Sequence, residues 1–184
     1  METGEIIDTD GWHGTYRKNL DSILNTGFKE SVDHNQWYGD GVYFFVKGLG
    51  APEDAALQFA KDKAFKDRSI EEVFVIKATI CVKRDSFLDL TVNQGLEFVN
   101  SYRDEVIASI AHKRGKRAVK AIEDHHILSS LRKNLGIEFV KGNVHIKFGD
   151  HRKLVYFHSV IPNVTIFVVN NATKYIESAS INCI

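Results

Sequence analysis

Cysteine, proline and methionine are scarce in this 184-residue chain, which carries two, two and one of them. Cys81 and Cys183 stand far apart, so they supply neither a disulfide framework nor the paired spacing of a zinc site. Their scarcity fits a reducing compartment, and Cys81, inside an apolar run, reads as a core residue. With few prolines, no Pro/Ser-rich tract and no internal repeat, no linker is visible, and residues 1–184 are expected to form a single domain. Net charge is also missing, with 24 basic and 24 acidic residues. A protein that held duplex nucleic acid through its overall charge would be basic, so any such contact has to be local. No apolar run approaches the length of a membrane span. The opening stretch Met1-Glu2-Thr3-Gly4-Glu5-Ile6-Ile7-Asp8 is acidic and unlike a signal peptide. A cytoplasmic location is the resulting expectation, although export by a dedicated machine is compatible with the same residues.

What is present is an ordinary folding composition, 43% apolar and 26% charged. The periodicity predicts a helix over Arg17–Thr26, with Leu20, Ile23 and Leu24 as its apolar stripe and Gly27 as a left-handed stop. A short buried strand is predicted at 41–46, after a glycine turn. A second helix is predicted to begin at Pro52, with Glu53 and Asp54 at the positive end of its dipole and Ala56, Phe59, Ala60 and Ala64 inward. The β-branched run Val73–Val82 predicts an extended strand. A helical region from Leu96 to Leu135, broken near 112–116, comes next, with Ile122, Leu128, Leu131 and Leu135 read as core. Four strands are predicted after it: Ile137–Val140, Val144–Phe148, Lys153–Phe157 and Val164–Val169. Gly142-Asn143 between the first two resembles a hairpin turn. The pattern predicts an α+β protein.

Two short segments suggest chemistry. Gly11-Trp12-His13-Gly14-Thr15 lies directly before the first helix, and Gly39-Asp40-Gly41-Val42-Tyr43-Phe44 opens the short strand. Glycine lets backbone approach a ligand closely, and the peptide after His13 could offer a donor and an acceptor to a planar carboxamide. A histidine can bond ribose hydroxyls, and a tyrosine can stack on an aromatic ring. Taken singly, each segment also reads as ordinary structure.

In this order and at this separation the two segments resemble the catalytic domain of poly(ADP-ribose) polymerases and their bacterial relatives. That family has a His-Gly-Ser/Thr segment before a helix, then an Asn, an Ile-Leu pair and a Gly. Trp12-His13-Gly14-Thr15, Asn19, Ile23-Leu24 and Gly27 stand in those places. The family's Gly-x-Gly-Ile/Val-Tyr-Phe segment is matched by residues 39–44, and Phe59 loosely matches the aromatic that closes its nicotinamide pocket. Leu154-Val155-Tyr156-Phe157 and Ile161-Pro162-Asn163-Val164 resemble its last strand pair, so the likeness spans residues 10–170 or so. The resemblance implies the ADP-ribosyltransferase fold, split twisted antiparallel sheets with flanking helices and NAD, as co-substrate, in the cleft. It implies that His13 binds a ribose, that Gly14 clamps the carboxamide, and that Tyr43 and Phe59 sandwich the nicotinamide. Thr15 and Gly41 are the remaining cofactor-binding candidates.

The likeness breaks at the family's third catalytic residue, a Glu before the last Val-Tyr pair. Alignment puts Arg152 or His151 there, and neither is a carboxylate. Transfer of single ADP-ribose units to a protein or nucleic-acid acceptor is therefore expected, without chain growth. A catalytically weak NAD or ADP-ribose-binding module is the alternative, unless Glu138 arrives from a neighbouring strand. RNA 2′-phosphotransferases share the architecture, but they call for a more basic cleft and fit the two segments less well. The dense basic patch at Lys113, Arg114, Lys116 and Arg117 reads either as a solvated turn or as a contact for nucleic acid or an acidic partner. Adjacent His125 and His126 point to different sides of a helix and complete no ligand set, so no metal is expected. Trp12 and Trp37 read as packing residues, Trp37 being placed to shape the cleft rim.

Overall fold

A computed structural model describes residues 6–32, 36–114, 123–149, 159–176 and 182–183. Among these, seven strands form one sheet: β1 (Ile6–Tyr16), β2 (Val42–Val46), β3 (Val73–Lys83), β4 (Phe87–Asp89), β5 (Phe139–Val144), β6 (Val164–Val169) and β7 (Asn182–Cys183). Their order is β4-β5-β6-β2-β1-β3-β7, with β4 and β5 parallel and the other neighbours antiparallel. The helices are α1 (Arg17–Thr26), α2 (Pro52–Lys66), α3 (Asn93–Arg114), α4 (Asp124–Leu135) and the single turn α5 (Ala172–Tyr175). The protein is thus mixed α+β, as its pattern predicts.

Both faces of the sheet are covered. The run Val164–Val169 is buried at every position, as expected of a strand sandwiched between two layers. On one face Phe44, Ile76, Phe139 and Phe167 pack with Leu20 of α1 and Ala172 and Tyr175 of α5. On the other face Trp12, Phe45 and Ile166 meet Ala55 and Ala56 of α2, while Val140 meets Val99 of α3 and Ile127, Leu128 and Leu131 of α4. Among the described residues no helix is long and apolar enough to cross a membrane.

Several predicted elements fall where expected. α1 has the predicted bounds, α2 starts at Pro52, and β3 runs one residue past the prediction. Gly27 ends α1 at positive φ, 81°, but its ψ of 178° is extended, outside the helical left-handed region. In α1 only Leu20 is buried, and Leu24 is exposed.

The third quarter needs correction. Gly142-Asn143 is not a hairpin turn: both residues lie inside β5, opposite Ile166 and Thr165 of β6. Glycine is needed at 142 because a Cβ there would run into the ring and hydroxyl of Tyr38. Val144 ends that strand, so the strand expected over 144–148 is absent. Leu135 is 51% exposed at the last position of α4, although Leu128 and Leu131 on the same face are buried. Ile122 and the strand expected over 153–157 lie outside the described residues.

Candidate functional site

β1 and β3 pair at all eleven positions, from Ile6↔Lys83 to Tyr16↔Val73. β2 is likewise bound to β6 from Val42↔Val169 to Phe45↔Ile166. Between these two halves the only paired strand positions among the described residues are Gly11↔Val46 and Trp12↔Phe45. Past that seam β1 and β2 part, and the β1 edge from His13 onward faces a cleft instead of a strand.

The cleft has a volume of about 170 Å³, close to that of an engineered apolar cavity that takes up benzene. It therefore suits one ring-sized group, with anything attached to that ring lying across its mouth. His13, Gly14, Gly41, Tyr43 and Phe59 all line it, so five candidate residues from β1, from β2 with the turn before it, and from α2 share one lining. Thr15 is buried outside the lining. His151 and Arg152 lie outside the described residues.

His13 bridges the parting strands, its Nδ1 2.9 Å from the Tyr43 carbonyl oxygen. A carbonyl can only accept, so Nδ1 carries the hydrogen. The ring rests on Phe28 and Phe44, centroids 5.3 and 5.8 Å away. Burial lowers the pKa of His13; the Tyr43 carbonyl opposes that shift and nearby Lys63 adds to it. The imidazole is therefore neutral at pH 7, and its free Nε2 is an acceptor suited to a hydroxyl. Because the folded-state pKa lies below the ordinary 6.5, the unfolded chain takes up the proton first as pH falls. The contribution of His13 to stability is complete above pH 6.5 and is lost as pH drops through the lower, folded value. Ligand binding that uses Nε2 as an acceptor is expected to be flat on the alkaline side and to weaken over the same acid window. A titration of affinity against pH checks this, and His13→Gln, which cannot titrate, is expected to abolish the acid limb.

Tyr43 is fixed by its own hydroxyl. It donates to the Gly39 carbonyl at 2.7 Å and accepts from the Tyr38 N–H at 3.1 Å. Burial pushes its pKa up to about 12, so it stays a neutral wall throughout the useful pH range. The turn before it depends on Gly41, whose φ is 144° and whose missing Cβ would sit 2.8 Å from both Val168 Cγ1 and the Val169 oxygen. Phe59 reaches the cleft from α2, edge-on to Phe45 with centroids 5.9 Å apart. Gly14 lets α2 lie directly on β1, since a Cβ there would fall on the Ala56 carbonyl oxygen.

Trp37 lies at the rim, 41% exposed with its ring 6.3 Å from Tyr43. It belongs to the cleft, whereas Trp12 is core as expected. Lys29 and Lys63 also line the cleft, and no carboxylate does so among the described residues. Glu138 is engaged elsewhere, bound by Tyr175 and by Asn171 at 3.3 Å, with Lys174 3.8 Å away. It is not available as the missing acid.

His125 and His126 do not point to different sides of the helix as expected: their rings lie tilted against each other with centroids 3.8 Å apart, and His125 lies 3.2 Å from Glu123. Among the described residues no group of three metal-binding side chains exists. Of the basic patch, Lys113 is exposed near the end of α3 and Arg114 is its last residue, while Lys116 and Arg117 lie outside the described residues.

Sequence reasoning missed Arg132 of α4, which donates to the Asp40 carbonyl beneath the glycine turn. A lone arginine within a helical stripe gives no local signal of this contact.

No family model and no curated protein matches this chain.

Proposed function

We propose that this protein is an NAD-dependent ADP-ribosyltransferase of the poly(ADP-ribose) polymerase-like type, transferring single ADP-ribose units to a macromolecular acceptor. The observation that carries the reading is the convergence of His13, Gly14, Gly41, Tyr43 and Phe59 on one ring-sized cleft where the sheet parts. Phe59 reaches the cleft from α2 and Tyr43 from β2, an arrangement the likeness calls for. The chemistry also suits the cleft. A neutral His13 with an acceptor Nε2 can take a ribose hydroxyl, and Lys29 and Lys63 match the two negative charges of a pyrophosphate.

In the reaction the bond between nicotinamide nitrogen and the ribose anomeric carbon breaks, and its electron pair leaves with neutral nicotinamide. An acceptor oxygen or nitrogen attacks that carbon and gives up its proton to a base or to solvent. No proton need be supplied to the leaving group, so the site works mainly by holding the dinucleotide bent and stabilising an oxocarbenium-like transition state.

Chain growth calls for a carboxylate acting on a ribose hydroxyl, and none lines the cleft among the described residues. With NAD labelled in its adenylate half, the products are expected to carry single units on a gel. Long ladders would overturn the single-transfer reading. The same missing carboxylate favours a second reading, an NAD or ADP-ribose-binding module of this architecture, in which binding occurs without nicotinamide release.

A further inference from the structure

We infer that Arg132 is a positioning residue: its guanidinium holds the 38–41 turn and, through that turn, fixes the Tyr43 ring as a wall of the cleft. Arg132 donates through Nη1 to the Asp40 carbonyl, and the Tyr43 hydroxyl donates to the neighbouring Gly39 carbonyl. Two consecutive carbonyls of the turn are thus claimed by different groups, one by the Tyr43 hydroxyl and one by α4. The helix surface lies beside the turn: a Cβ on Gly39 would be in ordinary contact, 3.5 Å from both Arg132 Nη1 and Ser129 Oγ. Gly39 itself has φ +80°, which glycine adopts without strain, so the turn's shape is its own and the two bonds fix its position.

The remaining nitrogens argue against a packing role. Arg132 Nε and Nη2 are shut off from solvent and have no hydrogen-bond partner among the described residues. A buried cation left that way is costly, and an apolar side chain of similar length fills such space without the cost. Salt bridging does not account for it either, since no ion pair to Arg132 is formed among the described residues. Among the described residues Arg132 makes one hydrogen bond, to a carbonyl three residues before the cleft's tyrosine.

The test compares Arg132→Met and Arg132→Lys, reading hydrogen exchange of the Tyr38 amide, whose N–H is bound by the Tyr43 hydroxyl. Loss of one such anchor corresponds to roughly tenfold in an equilibrium. Arg132→Met is expected to keep or raise the melting temperature, because the two unpaired nitrogens are gone. It should nevertheless speed Tyr38 exchange and weaken NAD binding by that factor. Lysine retains one long-reaching donor, so Arg132→Lys is expected to restore both. Wild-type exchange in Arg132→Met, or fast exchange in Arg132→Lys, overturns the proposal. If Arg132→Met does not fold, the lysine variant decides alone, by the same amide. The NAD arm rests on the function proposed above: a wild type that binds no NAD sinks that function, while the exchange arm still judges Arg132.

Discussion

Replacing Tyr43 with alanine is expected to weaken NAD binding and slow nicotinamide release by about a hundredfold, the equivalent of roughly 3 kcal/mol of lost ring contact. The ring is half-buried, lines the cleft, and has its hydroxyl spent on the turn, so its exposed face is free for a ligand. Tyr43→Phe separates the two duties. It keeps the ring but loses the bonds to Gly39 and Tyr38, each worth about 1 kcal/mol, and a milder loss of roughly tenfold follows. Calorimetric titration with NAD, alongside thermal unfolding to check the fold, reads both. Equal affinity in Tyr43→Ala and wild type would mean that the cleft is not the dinucleotide site.

The second large effect concerns stability. Gly14→Ala places a methyl group on the Ala56 carbonyl oxygen and 2.9 Å from the Ala60 Cβ. The first obstacle is helix backbone and cannot rotate away, so α2 must lift from β1. Overpacking of this kind costs about 1–3 kcal/mol, and a rigid obstacle argues for the upper end. For a chain of this size the melting temperature then falls by roughly 6–12 °C. Because α2 carries Phe59, the cleft loosens as well. Ala60→Gly in the same chain removes only the 2.9 Å contact and should rescue little. An unchanged melting temperature in Gly14→Ala would show that the helix is not seated as described.

Gly14 also shows how far the sequence could be read. Its place in the His-Gly-Thr segment marks it for a ligand, yet the space it leaves is first required by Ala56 and Ala60. Both reasons can hold, since its backbone edge faces the cleft. α1, α2, β3 and β6 were legible because each has its own local signal: a stripe, a proline start, or a β-branched run. β1 has none. Its Asp8, Asp10 and two glycines disfavour a strand, and it forms one through tertiary pairing, with Asp10 held by Lys77 at 2.7 Å across the sheet. Gly142 misled for the converse reason: a glycine beside an asparagine looks like a turn, but here it makes room for Tyr38, over a hundred residues earlier in the chain. The cleft residues His13 and Tyr43 could be nominated from their segments. Their bond to each other, the aromatic bed of Phe28 and Phe44, and Arg132 depend on contacts that no spacing encodes.

The most direct test of the central claim is nicotinamide release from NAD by the wild-type protein, with and without cell lysate, using adenylate-labelled NAD to follow transfer. Release that requires the lysate, with label appearing on a lysate macromolecule as single units, is the predicted result. Absence of release together with absence of NAD binding would contradict the account.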